Sequence, residues 1–378
     1  MGRRKNIVTL LLVTMLFLAA GGSSWAADYY ASPSGSGSIC SSANPCAVAA
    51  LWSKAVPGDT LNLMDGTYTG NASMIAPPSG FSGGSCASTY GGTAGNPITV
   101  RAVNDGRAII DGQWARSPAR LLCVNYLVLE GIRFQNSIAE VIVLNRSDHN
   151  VLRRISAYNA NYHFAPTPSC TAAGVKYYNY HVLDVVSGSE YNLVEDSIFG
   201  GSGRNMIDSF VSNFNIYRRN ILLGGGYARD NTVPGCSGTG ANHGEPLQIY
   251  GSSDNVVENV VAFNVSPWGS ARKTPHQAGM NIWANDNQTA HRNRFYGSLV
   301  MGYESYGFYH SSVCNRPRGI DDSDECLVDG YFENVVSFRN GLDIWSNNGR
   351  NIIFKNVSAL DAGKGPPPAT GVPRLRTH

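Results

Sequence analysis

Short stretches of alternating apolar and polar residues, joined in pairs by a tight polar step, recur along the chain. Seven such segments resemble one another: Leu127–Asn136, Val151–Asn159, Leu193–Gly201, Ile216–Gly224, Val256–Asn264, Phe332–Asn340 and Ile352–Asp361. Arg292–Gly302 fits more loosely as an eighth. Alternation of this length is the sign of a half-buried strand, and the small polar step that of a corner. The spacing of roughly 20 to 40 residues is that of one coil of a solenoid with loops of variable length. A single copy cannot bury its apolar face, whereas stacked copies share one continuous core. Asn recurs at equivalent corners, where its side chain can bond the adjacent coil and where left-handed backbone is tolerated. The pattern predicts a right-handed parallel β-helix. A β-sandwich is the weaker fit, because its strands would not repeat the same Asn corner.

A third strand per coil emerges when Val182–Val186, Met206–Phe210, Pro246–Tyr250, Gly279–Trp283 and Gly341–Trp345 are aligned, with Tyr306–His310 as a less regular sixth member. Alternation turns Leu183, Ile207, Leu247, Met280 and Leu342 inward, and likewise Val185, Ser209, Ile249, Ile282 and Ile344. Two outward files remain. One is Asp184, Asp208, Gln248, Asn281 and Asp343; the other is Val186, Phe210, Tyr250, Trp283, His310 and Trp345. Flat rings in a row match the apolar faces of sugars, and carboxylates and carboxamides match hydroxyl groups or Ca2+. The alternative is an aromatic ladder covered by a loop. The longest connections, Ala160–Tyr180, Gly225–Glu245 and Val265–Ala278, all precede this strand. They carry Lys176, Arg229, His243, Glu245, Arg272, Lys273 and His276, with Arg204 in a shorter one. Long loops on one face of a solenoid are a usual place for a site.

Composition narrows the classes. With 15% charged and 43% hydrophobic residues, the chain is neither disordered nor built to bind nucleic acid. Arg3, Arg4 and Lys5 precede an apolar run, Ile7–Ala20, and small residues ending in Ser24-Trp25-Ala26, the layout of a secretory signal peptide. Losing three basic residues with residues 1–26 takes the formal charge from +2 to near −1. No later run is long enough to span a membrane. Eight Cys, at positions 40, 46, 86, 123, 170, 236, 314 and 326, read as disulfides in an exported chain. The spacings of Cys40/Cys46 and Cys314/Cys326 permit local loops; the pairing of the others stays open. The expected division is a signal peptide over 1–26, a β-helix over 27–361 and a Pro-rich tail or linker over 362–378.

The N-terminal stretch adds a likeness. Tyr30-Ala-Ser-Pro-Ser-Gly-Ser-Gly, Asn44-Pro-Cys, Pro57-Gly-Asp-Thr-Leu-Asn-Leu-Met-Asp-Gly-Thr-Tyr68 and Asn96-Pro-Ile-Thr-Val-Arg-Ala-Val-Asn-Asp-Gly-Arg-Ala-Ile-Ile-Asp-Gly112 resemble the opening coils of secreted proteins of the pectate-lyase-like superfamily, in particular lyases of the chondroitinase B and alginate lyase kind. The resemblance implies a short helix over Ala47–Ala55 capping the open end. It also implies an acidic polysaccharide as partner; composition and the leader add the expectation of a secreted or periplasmic/cell-surface monomer with no nucleic acid and, after signal removal, no membrane as partner. In a lyase of this kind, Ca2+ on Asp184 and Asp208 would neutralise a uronate while a basic side chain removes its C5 proton. Those lyases carry a Lys and an Arg on the face itself, whereas neither outward file here holds a basic residue. The catalytic candidates are therefore Lys273 first, then Arg204 and His243, all in loops. Phe210, Tyr250, Trp283, Gln248, Asn281, His310 and Trp345 are the candidates for substrate contact. The alternatives are a polygalacturonase-like hydrolase using the two Asp as acid and base and a non-catalytic carbohydrate-binding surface protein.

Overall fold

The computed structural model describes residues 26–160, 180–202, 204–224, 245–264, 278–285, 288–303, 306–313, 328–347 and 352–360. Lys273 and His243 lie outside these residues, as do the leader, the Pro-rich tail and Cys170, Cys236, Cys314 and Cys326. The described chain winds through three parallel sheets of eleven, ten and eight strands. One coil runs from the eight-stranded wall (Ile142–Asn145) to the eleven-stranded wall (Val151–Arg153), then to the ten-stranded wall (Ser156–Ala160), and returns at Leu183–Val186. Every wall-to-wall neighbour is the same strand of the next coil, so each side chain stands over its counterpart one rung away. The interior is filled by Val, Ile, Leu and Phe from all three walls, with Tyr68, Tyr217 and Tyr303 among the largest fully buried side chains.

The paired repeats of the sequence are the strands of the eleven- and ten-stranded walls, and their polar step is one residue with positive φ. Arg154, Asp196, Arg219, Asn259, Asn334 and Asn356 hold that position, at φ between 49° and 55°. The expected Asn ladder exists at a different corner. Asn150, Asn192, Asn215, Asn255 and Asn293 are buried where the chain turns from the eight-stranded to the eleven-stranded wall, and none has positive φ. Each Oδ1 accepts from the backbone N–H of the previous coil: Asn150 to Asn192, Asn192 to Asn215 and Asn215 to Asn255 at 2.9 Å, Asn255 to Asn293 at 3.0 Å. The amide nitrogens return to backbone carbonyls, Asn192 Nδ2 to Ser147 and Asn215 Nδ2 to Ser189. A tight corner leaves backbone groups that no strand can pair, and a buried carboxamide satisfies a donor and an acceptor at once. A serine file, with Ser147 donating to Ser189, Ser189 to Ser212 and Ser212 to Ser252 through backbone N–H groups, does the same beside it.

Helix Val48–Leu51 is a single turn, shorter than the expected Ala47–Ala55, and buries Val48 and Leu51. Disulfides join Cys40 to Cys46 and Cys86 to Cys123.

The register of the eight-stranded wall departs from the sequence alignment after Trp283. Gly279 and Gly307 face each other so closely that a Cβ on Gly279 would fall 1.8 Å from the Gly307 carbonyl oxygen. Phe308 then pairs with Met280 and packs in the core against Phe295 and Phe332. The one-residue slip pairs His310 with Ile282 and turns it inward, where it is buried. Strand Leu342–Asn347 slips by two residues. Trp345 therefore pairs with Tyr309 in the carboxylate and amide file, not with the rings, and Asp343 leaves that file and accepts from Ser337 Oγ at 2.8 Å.

Replacing Asn215 with Ala would strand the buried N–H of Asn192 and the carbonyl of Ser189. The expected cost is about 3 kcal/mol of unfolding free energy, read as a lower urea midpoint with an unchanged slope.

Candidate functional site

The eight-stranded wall brings the polar file together as its alternation requires. Asp184 pairs with Asp208, Asp208 with Gln248 and Gln248 with Asn281. The residues on either side of these, Leu183, Val185, Ile207, Ser209, Leu247, Ile249, Met280 and Ile282, are wholly buried in the interior. Two residues along, Val186, Phe210, Tyr250 and Trp283 form the second file. The Phe210 and Tyr250 rings lie 4.9 Å apart, and Trp283 stands 5.7 Å from Tyr309. Asn285 ties the rings in place: its Nδ2 donates to the Tyr250 hydroxyl, and its Oδ1 accepts from Trp283 Nε1 at 2.9 Å. All four file members are only partly exposed.

A third file, unforeseen in the sequence, stands three residues before the first. The backbone bonds Val182 N–H to Asn205 and Met206 N–H to Glu245 set His181, Asn205 and Glu245 above one another at the strand starts. His181 and Glu245 are 6% and 1% exposed, so both titratable groups are buried. Asn205 is the hinge of the cluster. Its Nδ2 donates to Asp208 Oδ1 (3.0 Å) and Gln248 Oε1 (2.9 Å), and its Oδ1 accepts from the Glu245 N–H (3.1 Å). His181 Nε2 lies 3.8 Å from Asp208 Oδ2, and one ligand atom from each of His181, Asp184 and Asp208 falls within 4.8 Å of the others. The signal for this file was the recurrence of a polar residue three positions before the outward one: His181 before Asp184, Asn205 before Asp208, Glu245 before Gln248.

These groups share a shortage of positive charge. Burial holds the Asp184 carboxyl well above the usual carboxylate range, reinforced by the charges of Asp208 and Glu140 and opposed by Arg204. Glu245 is pushed up to about 8 by burial, with Arg204 opposing and Asp208 adding. Burial takes His181 down to about 4 against the pull of Asp208, so its contact with Asp208 at neutral pH is not an ion pair. Arg204 is the cation whose charge reaches His181, Asp184 and Glu245, and its Nε is buried with no hydrogen-bond partner. Asp184 Oδ1, His181 Nδ1 and both amide atoms of Asn281 are likewise buried without one. A buried polar group left unpaired costs about 1–3 kcal/mol, so such a concentration makes this cluster the candidate site. Of the catalytic candidates, the structure thus brings Arg204 to the carboxylates. Of the substrate candidates it groups Gln248, Asn281, Phe210, Tyr250 and Trp283, while His310 is buried in the interior.

Two donor sets follow from this geometry. Asp184 and Asp208, on adjacent rungs, offer oxygens suited to a hard divalent cation. Arg204 offers a guanidinium suited to a carboxylate.

No protein-family model matches the sequence, and no curated protein matches it. Solved structures do match. Pectate lyase Pel9A superposes with a TM-score of 0.57 at 18% identity, over 91% of this chain and 81% of that one. A rhamnogalacturonan lyase gives a TM-score of 0.53 at 14% identity, over 89% of this chain and 74% of that one. The likeness read from the N-terminal coils therefore holds at the level of the fold, a right-handed parallel β-helix.

Glu245 is protonated in the folded chain up to about pH 8, but unfolded it ionises near 4.5. The stability it contributes is complete below that lower value and is lost as pH rises through the higher one. Glu245→Gln removes this loss. The urea midpoint of the variant, relative to that of the wild type, should rise between pH 4.5 and pH 8.

Proposed function

We propose that this right-handed parallel β-helix is an exported enzyme that cleaves an acidic polysaccharide by β-elimination along its eight-stranded wall. The observation that carries the reading is the pair of half-buried Asp184 and buried Asp208, in register on adjacent coils, with an unpartnered carboxylate oxygen and Arg204 beside it. The two matched structures reported above are lyases by description. The two disulfides and the leader-like N-terminus support export, and no helix among the described residues is long and apolar enough to cross a membrane.

Elimination next to a uronate requires three things: neutralisation of the carboxylate, removal of the C5 proton and support for the departing oxygen at C4. Asp184 and Asp208 would hold Ca2+, which when bound supplies positive charge to the uronate carboxylate and makes the C5 proton more acidic. Arg204 contributes the same neutralisation directly, its Nε facing a buried space with no protein acceptor. Among the described residues, His181 is the candidate to accept the proton, since burial keeps its imidazole neutral. The C5–H electron pair forms the C4=C5 double bond as the C4–O bond breaks, and the departing oxygen takes up a proton from water, leaving as a hydroxyl. Lys273 remains the alternative base from the loop. Phe210, Tyr250 and Trp283 hold successive sugar faces, and Gln248 and Asn281 bond hydroxyls.

The raised Asp184 carboxyl beside Asp208 favours one competing chemistry, hydrolysis by a protonated and an ionised carboxyl. Products decide between them. Elimination leaves an unsaturated, ultraviolet-absorbing end; hydrolysis leaves new reducing ends without it.

On polygalacturonate, alginate and a glycosaminoglycan, at least one polymer should yield unsaturated ends. Asp208→Asn should lower kcat/KM on that polymer by about 10²-fold or more, the scale of a lost electrostatic contact in a transition state. Chelator should abolish the activity and added Ca2+ restore it. Reducing ends without absorbance would replace elimination by hydrolysis, and binding without turnover would remove the enzymatic reading. Trp283→Ala should weaken oligosaccharide binding by about 1 kcal/mol, with the unfolding midpoint nearly unchanged. A large fall in that midpoint would make the ring a packing element.

A further inference from the structure

The outer face of the eleven-stranded wall follows two rules until one coil breaks both. One file is apolar over five coils: Val128, Val151, Leu193, Ile216 and Val256. The other alternates in sign: Arg101, Glu130, Arg153, Glu195, Arg218 and Glu258. Alternation lets each charge meet its opposite on the next rung, as Arg153 meets Glu130 at 2.6 Å and Arg218 meets Glu195 at 2.7 Å. On strand Ala290–Tyr296 the roles exchange. Arg294 stands over Val256 in the apolar file, and Tyr296 stands over Glu258 where a cation would continue the series. The next coil adds Tyr331 over Arg294, and Ile353 follows it, 53% exposed.

A cleft of about 470 Å3 opens at this break, within the size range of ligand sites. Its charged groups, save one, are committed elsewhere. Arg292 pairs with Asp254 at 2.6 Å, Asp329 lies 3.5 Å from His291, and Glu333 binds Lys355 at 2.7 Å and the Tyr331 hydroxyl at 3.0 Å. Arg294 is exposed and makes no ion pair or side-chain hydrogen bond with any described residue. The Tyr296 and Tyr331 rings line the same cleft, 5.8 Å apart and tilted by 56° to one another. A repeat that needs only Val and Arg at these two positions for its stability has instead an uncommitted guanidinium sharing a cleft with two phenols. A guanidinium fork matches a carboxylate, and tilted rings with hydroxyls match a pyranose that is apolar on one face and polar at its rim.

We propose that this cleft is a second saccharide site that takes one acidic sugar unit, its carboxylate on Arg294 and its ring against Tyr296 and Tyr331. It lies on a different wall from Asp184 and Asp208, so it would retain polymer without holding the bond that is cleaved. That the sugar belongs to the cleaved polymer rests on the functional reading above; the site itself does not.

Two measurements on the full chain test this. Calorimetric titration with galacturonate and glucuronate oligosaccharides is done on the Asp208→Asn variant, whose turnover is expected to be slowed about 10²-fold, with and without Arg294→Ala. Electrophoresis through gels containing acidic or neutral polysaccharide is done on the same proteins with Arg294→Lys and Tyr331→Ala. Arg294→Ala should weaken acidic-sugar binding at one site about tenfold, the scale of a charge-assisted bond, and reduce retention by acidic polymer alone. Arg294→Lys should recover part of it. Titrations and mobilities unaffected by Arg294→Ala overturn the proposal, as does an equal loss toward neutral polymer. If no polymer is cleaved but uronate binding still depends on Arg294, the functional reading fails while this site stands.

Discussion

Stacking in register is the constraint on which this protein depends. Each coil lays the same strand over its predecessor, so every side chain meets its own equivalent about 4.8 Å away. For apolar residues and for the buried Asn and Ser files this is favourable without further arrangement, because a carboxamide or hydroxyl both donates and accepts. For charges it is not. A column of like charges repels at rung distance, and a column of alternating sign attracts.

The two faces of the helix treat that problem in opposite ways. On the eleven-stranded wall, Glu130, Arg153, Glu195 and Arg218 alternate and pair, and the exposed corner adds Arg154 with Asp105 and Arg219 with Asp196. On the eight-stranded wall, Asp184 stands over Asp208, and Glu245 joins them with Arg204 as the nearby cation. The same geometry thus yields stability on one wall and unrelieved negative charge on the other. Burial sharpens the difference, raising Asp184 and Glu245 and lowering His181, so the cluster favours protons or a cation over its own ionised form. Departures from the local repeat are where both proposals are placed, since stability alone would have continued the pattern. Asp184–Asp208 is one such departure and Arg294–Tyr296 is another.

Much of this was legible from spacing alone. A period of two assigned faces, and a recurring corner assigned coils, so Asp184, Asp208, Gln248 and Asn281 fell in one file and Phe210, Tyr250 and Trp283 in the next. The alignment failed where glycine entered the strand. Gly279 and Gly307 let two backbones approach with no side chain to report the register, and Phe308 took the inward place that had seemed to belong to its neighbour. His310 was turned inward and Trp345 moved to the other file as a result. His181 and Asn205 escaped notice because they precede the strands, where alternation is no guide.

The amino-acid sequence by itself determined the parallel β-helix, the three-walled coil and the polarity of most strand positions, because these follow from a local period of two and a repeated corner. It could not determine which polar residues are buried, which ion pairs close or how far a carboxyl is displaced from its ordinary acidity. Those depend on contacts between residues about 23 to 43 positions apart in the chain, such as Asn205 with Gln248 and Glu195 with Arg218. Only the folded coils bring such residues within hydrogen-bond distance, and only there does burial strengthen the charge of one upon another.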